Sequence, residues 1–233
     1  MNNLPKDIEI KLFCDTGNLE ELKKYANDER FTGFTTNPSL IAKEIGDKSY
    51  IDTIKEILQI IPTAPVSFEV VSDDYEEMKR QALLLSSLGD NVYVKIPVVN
   101  PDNTNNINLV NELTSLNVKI NLTCVSNLGQ LQGLVDCKHL IISVFAGRIL
   151  DTLSDAEDIC YMIKRSYPNA EILWASMREL YNIRQAFNCK CDIITVPTSF
   201  IEKFNWFNYT LQDVSRLSSE QFLGDAKKAG LEL

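Results

Sequence analysis

Apolar runs of strand length alternate with stretches of helical spacing about eight times along this chain, and that rhythm leaves few architectures open. Strands are predicted over 8–14, 33–36, 65–71, 92–96, 118–125, 139–145, 171–176 and 192–196. Helices are predicted over 18–26, 39–60, 74–88, 103–115, 127–135, 154–167, 178–187 and from 198 to 204. A terminal helix over 218–228 ends at Gly230, a glycine suited to the left-handed position after a helix. Asn18 and Glu21 have the spacing of a capping box.

Alternating units of this length imply parallel strands joined by right-handed crossovers. Eight of them in 233 residues point to an α/β chain folded as a closed (β/α)₈ TIM barrel, one domain over 1–233, with an additional C-terminal helical tail from about 205. No glycine-rich nucleotide fingerprint follows any strand, which weakens an open doubly wound sheet. The formal net charge of −9 argues against nucleic acid as a partner. No apolar run is long enough to span a bilayer, and residues 1–9 have no apolar core of a secretory signal, so a cytoplasmic protein is expected. The six cysteines are read as reduced small hydrophobes, and scattered thiols with a lone His139 make a metal site improbable.

The fourth strand carries a lysine, Lys95, among Val92, Tyr93, Val94 and Ile96. Either its ammonium reaches solvent along its stem, or it is buried, and burial strips water from the charged form and favours the neutral amine. A neutral amine attacks carbonyls and forms a Schiff base.

In a barrel the chemistry gathers at the C-terminal strand ends. There the sequence sets Asp15, Asn37, Glu69, Lys95, Asn121, Thr123, Ser143, Arg148, Ser176 and Arg178, together with Thr16, Thr35, Thr195 and Pro197. Asp15 either ends a strand or acts as an acid–base group, and Asn37 caps the helix that Pro38 opens. Glu69 points into the barrel or out to the helices, and both places disfavour an unpaired carboxylate. Arg148 and Arg178 are either surface charges or anchors for a phosphate. His139 begins its strand, at the end away from chemistry.

The motifs Phe13-Cys14-Asp15-Thr16, Thr35-Thr36-Asn37-Pro38-Ser39-Leu40, Ser67-Phe68-Glu69-Val70, Val94-Lys95-Ile96-Pro97, Asn121-Leu122-Thr123, Phe145-Ala146-Gly147-Arg148 and Ala175-Ser176-Met177-Arg178 stand in family order. From about residue 10 to 225 the chain resembles the transaldolase family, in its shorter subgroup of small transaldolases and fructose 6-phosphate aldolases. The resemblance implies that Lys95 is the Schiff-base nucleophile and Asp15 the acid–base. It implies that Glu69 and Thr123 hold the catalytic water. Asn37, Asn121, Ser143 and Ser176 would then bind the dihydroxyacetone unit, and Arg148 and Arg178 the phosphate. It also implies sugar-phosphate substrates, no cofactor, no metal and a homo-oligomer, pentamer or decamer, with Phe222 and Asp225 in the tail pattern.

Glu69 and Phe145 stand where the aldolases carry glutamine and tyrosine, which favours transfer over release of dihydroxyacetone. Val144, Glu179, the 100–105 stretch and Asn188-Cys189-Lys190-Cys191 depart from the usual pattern. A sugar-phosphate aldolase, a transaldolase-like enzyme of a specialised pathway and an inactive sugar-phosphate-binding barrel are the other readings.

Overall fold

The structure, a computed structural model, describes residues 4–231. Residues 1–3 and 232–233 lie outside the described residues, and the expectations for the first nine residues and for the end of the tail fall partly there. Eight strands close in sequence order, every pairing parallel, with β8 returning to β1. They are β1 Lys11–Asp15, β2 Phe31–Thr35, β3 Val66–Glu69, β4 Val92–Pro97, β5 Ile120–Val125, β6 Leu140–Val144, β7 Glu171–Trp174 and β8 Ile193–Pro197. The helices are α1 Leu19–Tyr25, α2 Pro38–Ile41, α3 Tyr50–Ile60, α4 Tyr75–Ser86, α5 Ile107–Ser115, α6 Ala146–Asp151, α7 Ala156–Ser166, α8 Tyr181–Asn188, α9 Thr198–Ile201 and α10 Leu211–Lys228. This is the (β/α)₈ barrel with an added C-terminal helix.

The strand pattern explains the closure. Side chains alternate across a strand, and here the even positions are almost all apolar. Leu12, Phe34, Phe68, Val94, Ile96, Leu122, Ile142, Ile172 and Ile194 are buried in the main core cluster with apolar residues of the surrounding helices, among them Ile54, Met78, Leu109 and Ile183. Odd positions form a second, smaller cluster of Phe13, Tyr93, Ile141, Leu173, Ala175 and Ile193. That plug fills the lower barrel, and Gly33 leaves room for it: a Cβ there would stand 2.5 Å from the Phe13 ring.

Several helices differ from their sequence-based ranges. The helix predicted over 39–60 is two, because Gly46 takes a left-handed φ of +51° and Ser49 caps a fresh start. The one predicted over 127–135 shrinks to a 3₁₀ turn at Leu128–Leu131, followed by Gly133 at φ +85°. The one predicted from 103 begins at Ile107; Asn103 is left-handed and Asn106 donates to the Pro97 carbonyl at 3.0 Å. The helix α6 had no separate signal. The terminal helix begins earlier than predicted, at Leu211, where Thr210 and Asp213 form a reciprocal capping box.

Candidate active site

A cavity of about 680 Å³ opens at the C-terminal ends of the strands. That volume suits a small-molecule site. Each of the residues singled out at the strand ends, from Asp15 and Asn37 through Glu69, Lys95, Asn121, Thr123, Ser143, Phe145, Arg148 and Ser176 to Arg178, lines it. The parity of the strands brings them there: the in-barrel members of β1, β3, β4, β5 and β6 are odd-numbered. Register then sets their heights. Glu69 pairs with Lys95, Lys95 with Asn121, and Asp15 with Thr35.

Lys95 is buried, 7% exposed, and its head is held by one backbone carbonyl and one carboxylate. Its Nζ donates to the Thr36 carbonyl at 2.7 Å and stands 3.0 Å from Glu69 Oε2. Glu69 therefore faces the barrel interior. The partner answers the question its sequence position left open, since a carboxylate this enclosed needs a cation or a donor. The Tyr50 hydroxyl donates to the Glu69 carbonyl at 2.9 Å and pins the end of β3.

Asp15 accepts a hydrogen bond from Thr35 Oγ1 at 2.7 Å, and Thr35 in turn shares a close contact with the Thr195 hydroxyl. Burial pushes the Asp15 carboxyl above its ordinary value of 3.8, against the opposing pull of the Thr35 hydrogen bond and the Lys95 charge. A carboxyl whose proton affinity is raised suits a group that takes up and returns a proton.

Asn121 links the layer below: it donates to Ser67 Oγ at 3.1 Å and accepts from Ser143 Oγ at 2.6 Å. Thr123 Oγ1 is different. It is buried and has no hydrogen-bond partner among the described residues. A buried hydroxyl without a partner is expensive, so a polar atom of a water or substrate belongs beside it. A bulge aims it there: Cys124 takes a left-handed φ of +61° and the β5–β6 register shifts between Leu122 and Val125.

At the end of β2, Asn37 caps α2, accepting from the Leu40 N–H at 2.9 Å. Arg148 is exposed and lies over the Phe145 ring, 5.2 Å from its centroid. Arg178 reaches Asp151 Oδ2 at 2.7 Å, a half-exposed pair that water and salt weaken. Glycine is required between these two arginines. A Cβ on Gly147 would stand 1.7 Å from the carbonyl oxygen of Ser176, itself left-handed at φ +64°. Any side chain there would push the α6 start off the Ser176 turn and separate the arginines.

One charged lining residue carries no mark of the site in the sequence. Glu21 fulfils half of its predicted capping box: its N–H donates to Asn18 Oδ1 at 3.0 Å. Its carboxylate turns into the mouth instead, accepting from Thr198 Oγ1 at 2.8 Å and from the Thr16 hydroxyl. An acidic residue at this helix position explains itself as a cap, so nothing in the sequence marked it for the site.

The cysteine expectation also needs correcting. Cys14, Cys124 and Cys137 are indeed dispersed, but Cys160, Cys189 and Cys191 bring their sulfurs within 4.8 Å of one another. Chain distance hid the grouping.

A closed parallel barrel with a buried lysine, a tuned carboxyl and exposed arginines at its C-terminal mouth defines a class of enzyme scaffold suited to imine chemistry on an anionic substrate. Its family is narrower. Residues 12–232 match the model of the transaldolase/fructose-6-phosphate aldolase family. A probable transaldolase of Thermoanaerobacter sp. strain X514 is 33% identical over 228 residues, covering 96% of this chain and 100% of that protein. Probable transaldolases of Carboxydothermus hydrogenoformans and Thermoplasma acidophilum are each 34% identical, covering 93% and 94% of this chain and 97% and 96% of those proteins. A solved structure from Burkholderia cenocepacia J2315 matches with a TM-score of 0.59 at 12% identity, over 97% of this chain and 86% of that one, and shows the fold alone. The chain belongs to the transaldolase/fructose-6-phosphate aldolase family. No helix among the described residues is long and apolar enough to cross a membrane.

Proposed function

We propose that the chain is a transaldolase of the pentose phosphate pathway, moving a dihydroxyacetone unit from sedoheptulose 7-phosphate or fructose 6-phosphate to glyceraldehyde 3-phosphate or erythrose 4-phosphate. The observation that carries the reading is the burial of Lys95 Nζ, 3.0 Å from Glu69, in the cavity that also holds Asp15 and the partnerless Thr123 hydroxyl.

A proton passes from Lys95 to Glu69, and the freed amine attacks the C2 carbonyl and forms a carbinolamine. Glu69 and Thr123 hold the water through which a proton reaches the departing hydroxyl, and loss of water leaves a protonated imine. Asp15 takes the proton of the C4 hydroxyl. The C3–C4 bond then breaks, the aldose leaves, and its electron pair is stored in the imine as an enamine. That electron sink is intrinsic to the imine, so the step needs neither metal nor organic cofactor. An incoming aldehyde is attacked by C3, and Asp15 returns its proton. Phe145 has no hydroxyl with which to activate water, so the lysine-bound intermediate survives until the acceptor arrives. This favours transfer over release of dihydroxyacetone.

The test is a borohydride trap with fructose 6-phosphate followed by peptide mapping. Label on Lys95 supports the reading, and its loss on adding erythrose 4-phosphate supports transfer. Label on a different lysine, or on none, overturns it.

Asn37, Asn121, Ser143 and Ser176 bind the hydroxyls of the dihydroxyacetone unit, and Arg148 and Arg178 bind the phosphate. A charged hydrogen bond contributes about 1.5–3 kcal/mol, so Arg148→Ala should raise KM for fructose 6-phosphate roughly ten- to hundredfold. The KM for a donor without a phosphate should move little. An equal effect on both donors would remove Arg148 from the phosphate site.

The reading includes a homo-oligomer in the cytoplasm. Support comes from α10, which buries none of its residues against its own chain and leaves Leu211 88% and Phe222 69% exposed. Apolar side chains presented this way favour a second copy as their cover. Light scattering at several chain masses is expected, and a monomer would remove the idea.

A further inference from the structure

On the rim opposite the mouth, three thiols converge. Cys160 projects from the middle of α7, and Cys189 and Cys191 flank the turn that leads from α8 into β8. The turn is a helix ending with a left-handed residue. Lys190 takes φ +67°, the Cys189 N–H donates to the Gln185 carbonyl at 3.0 Å, and the Cys191 N–H donates to the Ala186 carbonyl at 2.9 Å. That reversal sets the Cys189 and Cys191 sulfurs 3.6 Å apart and turns both toward Cys160. All three residues are buried.

The spacing suits one small ion. An ion about 2.3 Å from each of three sulfurs in one plane spaces them about 4 Å apart, and less if it sits above the plane. The observed separations, from 3.6 Å to no more than 4.8 Å, bracket that value. The donor set is soft, which selects thiophilic ions over hard cations.

We infer that Cys160, Cys189 and Cys191 form a three-sulfur site for a thiophilic ion, and that trivalent arsenic, taken up as arsenous acid, fits it best. Charge decides among the candidates. Three thiolates on a monovalent or divalent ion leave net negative charge in a buried place, where it is costly. A zinc ion would also want a fourth ligand. Arsenous acid instead exchanges its three hydroxyls for three sulfurs. Three As–S bonds form, three As–O and three S–H bonds break, and three waters leave. Arsenic stays trivalent, and no charge is created. The product ties α7, the end of α8 and the entry to β8 together, on the rim away from the sugar-phosphate cavity.

The test uses the reduced, folded chain and sodium arsenite. Native mass spectrometry should show one arsenic per chain, with a mass gain of one arsenic less three hydrogens. X-ray absorption should count three sulfurs around it. The thermal midpoint should rise, since binding to the folded state alone stabilises it. Cys124→Ser/Cys137→Ser should bind unchanged. Cys189→Ser, which alters only the exit turn of α8, should weaken binding at least tenfold. Should Cys160→Ala fail to fold, the sulfur count on the unaltered chain still decides. No adduct, two sulfurs only, or undiminished binding by Cys189→Ser would overturn the assignment. None of these readouts uses sugar turnover, so they stand or fall apart from the transaldolase reading.

Discussion

Lys95→Ala is expected to lose at least about 10⁴-fold in turnover, because on the proposed Schiff-base reading it removes a covalent nucleophile with no substitute at the same place. It should also take up no label in the borohydride trap. The structure adds a second consequence. Lys95 is the cation that faces Glu69 at 3.0 Å, and both side chains are largely enclosed, at 9% and 14% exposure. Removing one partner of such a pair leaves an uncompensated charge, at a cost of about 3 kcal/mol. Lys95→Ala should therefore melt below the wild type while keeping its fold. Adding Glu69→Gln should restore much of the loss, since the amide needs no cation. Activity should not return with stability. That separation matters, because a lysine that only supported the fold would lose stability without any link to label. Turnover persisting in Lys95→Ala would sink the Schiff-base reading outright.

The pair also shows where the sequence stopped being readable. Alternation of apolar residues made the strands plain, and the order of the motifs made the mouth plain. Yet in a parallel barrel both faces of a strand are enclosed, so periodicity alone does not say which way Glu69 points. The β3–β4 register decides it by placing Glu69 beside Lys95. The left-handed residues at Cys124 and Ser176 were likewise hidden, because neither is glycine and no turn signal surrounds them. Glu21 was concealed by a second role as a helix-start residue. The three-thiol cluster was concealed by separation: Cys160 joins Cys189 and Cys191 only once α7 and α8 lie side by side. Helix starts went wrong where asparagines offered several caps, as before α5, and where a glycine broke a continuous apolar rhythm, as at Gly46.

Asp15→Asn should sacrifice activity and gain stability. Losing an acid–base group lowers rate by about 10²–10⁴-fold, and here the group would serve both bond cleavage and the return of the proton. The stability gain follows from the direction of the Asp15 shift. Burial raises its folded-state value above the ordinary 3.8, outweighing the Thr35 hydrogen bond and the Lys95 charge. Between the unfolded and folded values the folded chain then binds more protons than the unfolded one. Stability contributed at this position is thus fully present below about pH 4 and falls as pH rises through the folded value. Above the ordinary aspartate range the wild type carries the penalty that burial places on this carboxyl's charged form, and the amide does not. Asparagine also keeps an oxygen for the Thr35 hydroxyl, so the local packing has no reason to change. The variant's thermal midpoint should exceed the wild type's at pH 7, and the gap should close as pH falls below the ordinary aspartate range. A midpoint lower than wild type at pH 7 would mean that Lys95 attracts the charge more strongly than burial opposes it. Asp15 would then be ionised throughout catalysis, and the proton of the C4 hydroxyl would need a different resting place.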